Sequence, residues 1–510
     1  MTDIEHETDI EKLRARAIEL FLENEALQQR LAELLARLER ATDPVEVEAL
    51  RTEIAKLKAQ REKQAKREFD KKTERRTPPP GAKPDTPKAP QTGHGPTPQP
   101  NLDVVVEVHK LDDTECPKCG GQMGEIPGEF EEHDEIDVEP RKPIIRRHKR
   151  QKYACQCREC VETAPGPTKL IAGGRYSIRF AATVAVDKYD AVLPLERQCK
   201  LFARLGLKVT SQTLFDQLWA MASHLKPTYE ALRTHIVAKN AYLAMDETPW
   251  RLLEGLKAGR WYIWGIVAPD AVWYGFDPSR GAKTAMRFLD GFTGTLMTDG
   301  YASYRTAADT WAARGQVLRL VHCWSHVRRG FIECERNFPE AKVAIQLIDR
   351  LFVTDRKALA VEPAKREAKR AELRSAESAA TIELLSAWLR AQKTLPESGL
   401  HKAIQYTLEH WTGLTVFLTD AAVPLSNNSA ERAMRDPVLG RKTHYGSHSE
   451  RGTTVSAIFY TLIETAQMCG LDPIAYLIEA TERAIRDTGT VTLPQDYAAE
   501  LKAKGTAPKA

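Results

Sequence analysis

A chain of 510 residues is too long for one hydrophobic core and must divide into several units. Charged residues make up 28% of it, yet the formal net charge is only +4, so bulk charge singles out no partner and its distribution matters more. The first residues are acidic and polar, unlike a leader, and no apolar run reaches the ~20 residues a membrane helix needs. A cytoplasmic protein with no membrane partner is expected.

Leu13, Leu20, Leu27 and Leu34 recur every seven residues, with Ile10, Ala17, Asn24, Leu31 and Leu38 on the companion seam. That is a coiled-coil pattern over about four heptads, in which a polar Asn24 on the seam would set register, and it predicts a homo-oligomer. Thr42-Asp43-Pro44 reads as a stop and a new helix start, and Val47, Leu50, Ile54 and Leu57 form a second amphipathic stripe. An intramolecular hairpin is therefore the alternative. Residues 61–76 hold eight Lys/Arg against four acids and read as a solvated helix end closing a helical segment, 1–76. The stretch 77–101 is rich in proline and poor in apolar residues, a stiff linker.

Of nine cysteines, five lie between 116 and 160. Cys116 and Cys119 form one C-x-x-C knuckle, and Cys157 and Cys160 a second, with Cys155 competing for a place. Four thiolates suit a tetrahedral, structural Zn²⁺ with no open position, so 102–166 reads as a zinc ribbon. The basic run that includes Arg146, Arg147 and Lys149 would give this ribbon a phosphate-contacting face. Residues 167–240 are helical in pattern. Within them LERQCKLFARLGLKVTSQTLFDQLW reads as helix, Gly206 turn, and a helix capped near Thr210 or Ser211: a helix-turn-helix for DNA, or two ordinary packed helices.

From 241 the period shifts toward strands. AYLAM, 260–268 and 271–276 read as a three-stranded meander. A helix (282–290), a strand ending in Asp299, a further helix and the strand VLRLVHCW (317–324) follow. Three hairpin strands and then alternating helix and strand is the ribonuclease H-like succession, here assigned to 241–334 and 424–470. Residues 335–423 are rich in Ala, Glu, Arg and Leu and read as an all-helical insertion. Near its far end Asn427 or Ser429 can cap a helix whose first turn carries Glu431. A C-terminal helix and tail, 471–510, should end loosely around Lys502, Lys504 and Lys509. The fold class expected is multidomain, mainly α plus α/β.

Two strand-end acids, Asp246 and Asp299, would share one sheet edge if their strands are neighbours. With Glu431 they would supply the oxygen ligands that a pair of Mg²⁺ (or Mn²⁺) ions about 4 Å apart needs for phosphodiester chemistry. The competing structural readings are a turn cap at Asp246, an Asp-Gly turn at Asp299, and pairing of Glu431 with Arg432 or Arg435. Gly281-Ala-Lys283-Thr284 lacks the glycine before lysine that a phosphate loop requires. His322-Cys323-Trp-Ser-His326 has metal-ligand spacing, but reads better as a strand-to-helix junction presenting Arg328 and Arg329 to phosphate.

Beyond single residues, long stretches are similar to the transposases of the insertion-sequence-66 family. They are Cys-Pro-Lys-Cys, KYDAVLPLERQCKLFARLGL, AMDETPW, TDGYASY, HCWSHVRR, NNSAERAMRDPVLGRKTHYGS and IFYTLIETAQMCGLDPIAYL, which run in order along nearly the whole chain. The resemblance implies an Asp, Asp, Glu catalytic triad at Asp246, Asp299 and Glu431, acting on DNA as terminal inverted repeats and target. It also implies that the cysteine pairs form the family's zinc-binding domain, and that accessory proteins of the same element assist. One departure is the C-x-C-x-x-C spacing of the second cysteine cluster. The phosphate backbone would be held by Arg328, Arg329, Arg432, Arg441 and Lys442.

Overall fold

The computed structural model describes residues 142–154, 161–255 and 259–505, together with 46–57 and a few positions between 30 and 43. Two compact units divide the chain, 69–142 and the remainder; apart from Lys142 the former lies outside the described residues. So do all five clustered cysteines and most of the heptad segment.

Where the N-terminal helices are described, they pair within one chain. Leu34, Leu50 and Ile54 bury one another, while Arg30 meets Glu53 and Arg37 meets Glu46, both at 3.5 Å. The crossed numbering of these pairs makes the arrangement antiparallel, which is the hairpin alternative. Further on, β1 (Lys152–Ala154) and β2 (Val161–Thr163) are antiparallel partners.

The core is built on a five-stranded mixed sheet in the order β5-β4-β3-β6-β7. β3 (Tyr242–Leu252), β4 (Gly259–Val267) and β5 (Val272–Asp277) form an antiparallel meander. β6 (Gly294–Thr298) and β7 (Leu318–His322) lie parallel to β3 on its other side. The central strands are apolar on both faces, which requires a covered sheet. One face carries Trp264 and Trp273, met by Tyr229 of α3 (Ser211–Lys239) and Phe288 of α4 (Ala282–Phe288). Tyr304 of α5 (Ala302–Ala312) packs on Trp264 from the same side. The other face carries Tyr274, Phe276 and Trp250, under α12 (Asn428–Ala433), α13 (Arg435–His444) and α14 (Glu450–Met468).

The outer edge of β5 does not face solvent. Thr461 Oγ1 of α14 accepts from Tyr274 N (2.9 Å), and Thr465 Oγ1 both accepts from Val272 N (3.2 Å) and donates to Val272 O (2.9 Å). Before the sheet, α1 (Ile178–Tyr189) is almost wholly buried, and α2 (Leu195–Arg204) reaches α3 through a turn at Gly206, whose φ is +88°. Thr210 caps α3 by accepting from Thr213 N (3.2 Å). Helix, turn and cap thus fall where the sequence puts them, while α3 runs for 29 residues and is buried along one side over its whole length.

From α6 (Trp324–Glu335) to α12 the chain is all helix and turn: α7 (Ala341–Lys357), α8 (Arg366–Leu373), α9 (Ala379–Ala391), α10 (Gly399–Glu409) and α11 (Trp411–Thr415). A fully buried Arg374 ties this block together. It donates to Asp355 (2.8 Å) and to the carbonyls of Phe417, Asp420 and Val423 (3.0, 3.2 and 2.9 Å). Without those partners a buried guanidinium would be strongly destabilising.

Several boundaries shift from the sequence reading. Helix α4 ends at Phe288 and strand β7 at His322, where α6 takes over. The tail is ordered further than expected, because α15 (Pro473–Arg486) and α16 (Pro494–Ala503) are joined by a bidentate Arg483–Glu500 pair at 2.9 and 3.1 Å. None of the described helices is long and apolar enough to cross a membrane.

On α14, burial and then the charges of Asp436 and Asp190 push the Glu464 carboxyl up to about 7 from 4.5. A folded pKa above the unfolded one contributes stability that is complete below 4.5 and is lost as pH rises through 7. Glu464→Gln should therefore melt higher than the wild type near pH 8 and no higher near pH 5, as read by thermal denaturation at the two pH values.

Candidate active site

The parallel half of the sheet lines up a row of side chains. β3 pairs with β6 only through Ala244↔Met297, and β6 pairs with β7 through Thr298↔His322. Carried forward along the strands, this register sets Asp246 level with Asp299, and Asp299 level with Cys323. The row lies where the parallel strands stop pairing, the crevice in which open α/β sheets bind ligands.

Asp246 is not at the end of its strand, as the sequence suggested. β3 continues to Leu252 against β4 after β6 has left it, so Asp246 sits mid-strand beside a vacated edge, which Ser447 takes up only at Leu252. It and its neighbour point to opposite faces. Glu247 turns toward α5, where Arg280 (2.7 Å) and the Tyr304 hydroxyl donate to it. Asp246 turns the other way, and the one hydrogen bond to its carboxylate comes from Glu247 N (2.9 Å). Burial, then the negative charges of Glu247 and Asp299, raise its carboxyl to about 7; Glu431 adds to the same effect. These acids share one field with too little positive charge to balance it.

Asp299 follows β6 directly and folds into an Asx turn, its Oδ1 accepting from Tyr301 N at 2.9 Å. The turn is clamped by α10 and the residue that follows it. The Tyr406 hydroxyl donates to the Asp299 carbonyl, and His410 Nε2 lies 3.2 Å from the Gly300 carbonyl. Gly300 has φ +87°, and a Cβ there would stand 2.6 Å from His410 Nε2 and 2.9 Å from the Tyr406 hydroxyl. Only glycine fits this position.

Glu431 arrives on α12, whose placement follows from four contacts. Asn427, fully buried, donates from Nδ2 to Met245 O (3.3 Å) and from its backbone N to Cys323 Sγ (3.2 Å). At the other end Tyr274 Oη donates to Ala433 O (2.5 Å), and Met434 lies over Gly265, the residue paired with Asp246. A Cβ on Gly265 would come within 2.9 Å of the Met434 sulfur. Asn427 holds the N-cap position, but its side chain serves β3 instead of capping the helix. Glu431 faces neither Arg432 nor Arg435. Its oxygens stand 3.7 Å from His326 Nδ1 and 3.8 Å from Arg329. Burial, aided by Arg329, lowers the His326 pKa against the opposing pull of Glu431 and Asp299.

The basic residues divide. Arg328 makes a bidentate pair with Asp349 of α7 at 2.5 and 3.0 Å, and Arg441 donates to Thr248 Oγ1 (3.1 Å) and to the Pro249 carbonyl. Both have protein partners in place of the phosphate foreseen for them. Arg329 is half-exposed beside Glu431, while Arg432 and Lys442 are exposed, as are Arg146, Arg147 and Lys149 on the segment leading to β1. Sequence reasoning gave Asn427 only a capping role, passed over Tyr406 and His410, and set aside Cys323 and His326. The i, i+3 spacing of the last two across a strand-to-helix junction was the available signal.

Residues 173–455 match the family model described as "Transposase IS66 family". This chain belongs to the IS66 transposase family. Residues 113–158 match the zinc-finger binding domain of IS66 transposases, a span that takes in Cys116, Cys119, Cys155 and Cys157 and stops short of Cys160. Among similar proteins is the uncharacterized protein y4jD of Sinorhizobium fredii (strain NBRC 101917 / NGR234), 32% identical over 408 residues, 77% of this chain and 78% of that one. Another is y4hP of the same organism, 27% identical over 72% of this chain and 70% of its own. The IS66 match contains the whole sheet, the helical block and α12, and so spans every residue of the row just described.

Gly300→Ala in this IS66-family chain should lower the free energy of unfolding by about 1–3 kcal/mol, since an alanine must hold a left-handed backbone against His410. Denaturant melts of the two proteins measure the difference.

Proposed function

We propose that the chain is a DNA transposase whose sheet is a ribonuclease H-like core, with Asp246, Asp299 and Glu431 as its catalytic acids. The observation that supports this reading is the register that sets Asp246 level with Asp299 at the edge β6 leaves, where burial and the charges of Glu247, Asp299 and Glu431 push Asp246 up to about 7. A buried Glu431 Oε1 without a hydrogen-bond partner among the described residues adds to the case. An oxygen-rich, under-neutralised donor set of this kind fits a hard divalent cation such as Mg²⁺ or Mn²⁺. Bound there, the metal would supply an activated attacking oxygen and offset the charge that builds on the phosphate.

The chain's own residues do the rest. The strand fixes Asp246, the clamped turn fixes Asp299, and α12 brings Glu431 over the crevice as the one member of the three on a separate element. Arg329, Arg432 and Lys442 hold the DNA backbone close by. In this reading water first attacks at the end of the element, breaking the phosphodiester and freeing a 3′-hydroxyl. That hydroxyl then attacks a target phosphodiester and displaces a new 3′-oxygen, so no covalent protein–DNA link forms. In the zinc-binding domain, Cys116 and Cys119 with Cys157 and Cys160, Cys155 competing for one place, hold a structural Zn²⁺. Together with α2 and α3 that domain recognises the terminal repeats. Helices of the N-terminal segment, from two protomers, bring paired ends together, and accessory proteins of the element join this assembly.

The test is strand transfer with end-bearing DNA and Mg²⁺. Wild type should give joined products, and Asp299→Asn should give fewer by more than about a hundredfold. Equal activity of the two, or no cleavage with metal and correct ends, would instead leave a DNA-binding regulator without chemistry. Cleavage without joining would leave a nuclease.

A further inference from the structure

Beside the acids lies a group of different chemistry. Cys323 is fully buried at the N-cap of α6, with the Asn427 backbone N–H on its sulfur at 3.2 Å. One helical turn later His326 turns back toward the same point, and Glu431 reaches it from α12. Among the described residues, one ligand atom from each of Cys323, His326 and Glu431 lies within 4.8 Å of the other two, and no other three ligand-bearing residues converge in this way.

Two of those atoms are unexplained by the protein alone. His326 Nδ1 and Glu431 Oε1 are both buried, and neither has a hydrogen-bond partner among the described residues. At 3.7 Å they are too far apart to bond each other. A native interior seldom leaves two polar atoms facing one another unpaired, and a missing ion is one of the accepted reasons. Their separation is close to the edge of a coordination tetrahedron, roughly 3.4 Å for bonds of about 2.0–2.1 Å. Asn427, whose N–H orients the sulfur, also positions the helix bearing Glu431, so two of the three donors share one support.

We propose that Cys323, His326 and Glu431 form a site for a Zn²⁺-class transition ion. Thiolate, imidazole and carboxylate together suit such an ion, whereas Mg²⁺ prefers oxygen in a near-octahedral shell. Three protein ligands leave a fourth position open for water or a phosphate oxygen, unlike a closed four-cysteine site. Glu431 is shared with the acidic cluster, so this ion and a hard ion at Asp246 and Asp299 compete for one carboxylate. The proposal does not depend on the transposase reading, because the ion binds without DNA.

The full chain, stripped of metal with a chelator and reloaded with Co²⁺, reports on both kinds of site. Bound metal is counted after dialysis, and thiolate-to-cobalt charge transfer is followed by absorption. Relative to wild type, Cys323→Ser and His326→Gln should each lose about one equivalent of Co²⁺ per chain and the matching share of the charge-transfer band, while Asp299→Asn loses neither. Taking differences removes the contribution of the clustered cysteines. His326→Gln decides the matter if Cys323→Ser fails to fold, because the His326 ring nitrogen has no hydrogen-bonded partner among the described residues to lose. Equal Co²⁺ stoichiometry and charge transfer in wild type and His326→Gln overturns the site, and so does loss of that share of the charge-transfer band in Asp299→Asn. Strand-transfer failure with the Co²⁺ difference intact sinks only the transposase reading.

Discussion

Asn427 is the residue on which the site depends. It is fully buried and sits between the carbonyl of Met245, one residue before Asp246, and the sulfur of Cys323, at the end of β7, the next strand but one in the sheet. Those two bonds fasten the start of α12 across the ends of strands that come from distant parts of the sequence. An amide can do this because it offers donors to a carbonyl while its backbone serves a second acceptor, and in a dry interior each such bond is costly to lose. Without it, the short helix that carries Glu431 would be held to the sheet only at its far end, by Tyr274 and Gly265.

The contrast between Asp246 and Glu247 shows how one strand makes two unlike acids. Alternation sends them to opposite faces, where their surroundings differ. Glu247 finds a guanidinium and a phenol and is satisfied as a structural ion. Asp246 finds other carboxylates. A sequence pair of acids thus separates into one that locks α5 onto the sheet and one left wanting a cation, which is the behaviour expected of a functional group and not of a stabilising one.

Much of this was legible beforehand. The meander at 241–276, the strand before Asp299, the helical block and the turn at Gly206 follow from period and breakers that act locally. The ends of elements were less so. Asp246 was read as terminal because apolar residues stop at Met245, but β3 continues through Thr248 and Trp250 on the strength of pairing with β4, a partner that no local pattern announces. The same limit hid Tyr406 and His410, whose task is to grip a turn about a hundred residues upstream. It also hid the partners of Arg328 and Arg441: a basic side chain looks free until the fold brings Asp349 or a carbonyl to it. Family likeness supplied the grouping of Asp246, Asp299 and Glu431, which spacing alone could not select from 70 acidic residues.

The hydroxyls of Thr461 and Thr465 along β5 carry a consequence for assembly. They occupy the backbone groups at Val272 and Tyr274 that an incoming strand would need, so a second chain cannot lengthen the sheet at that margin. On that side the sheet ends inside its own chain, closed by a helix that begins more than 170 residues after the strand it covers.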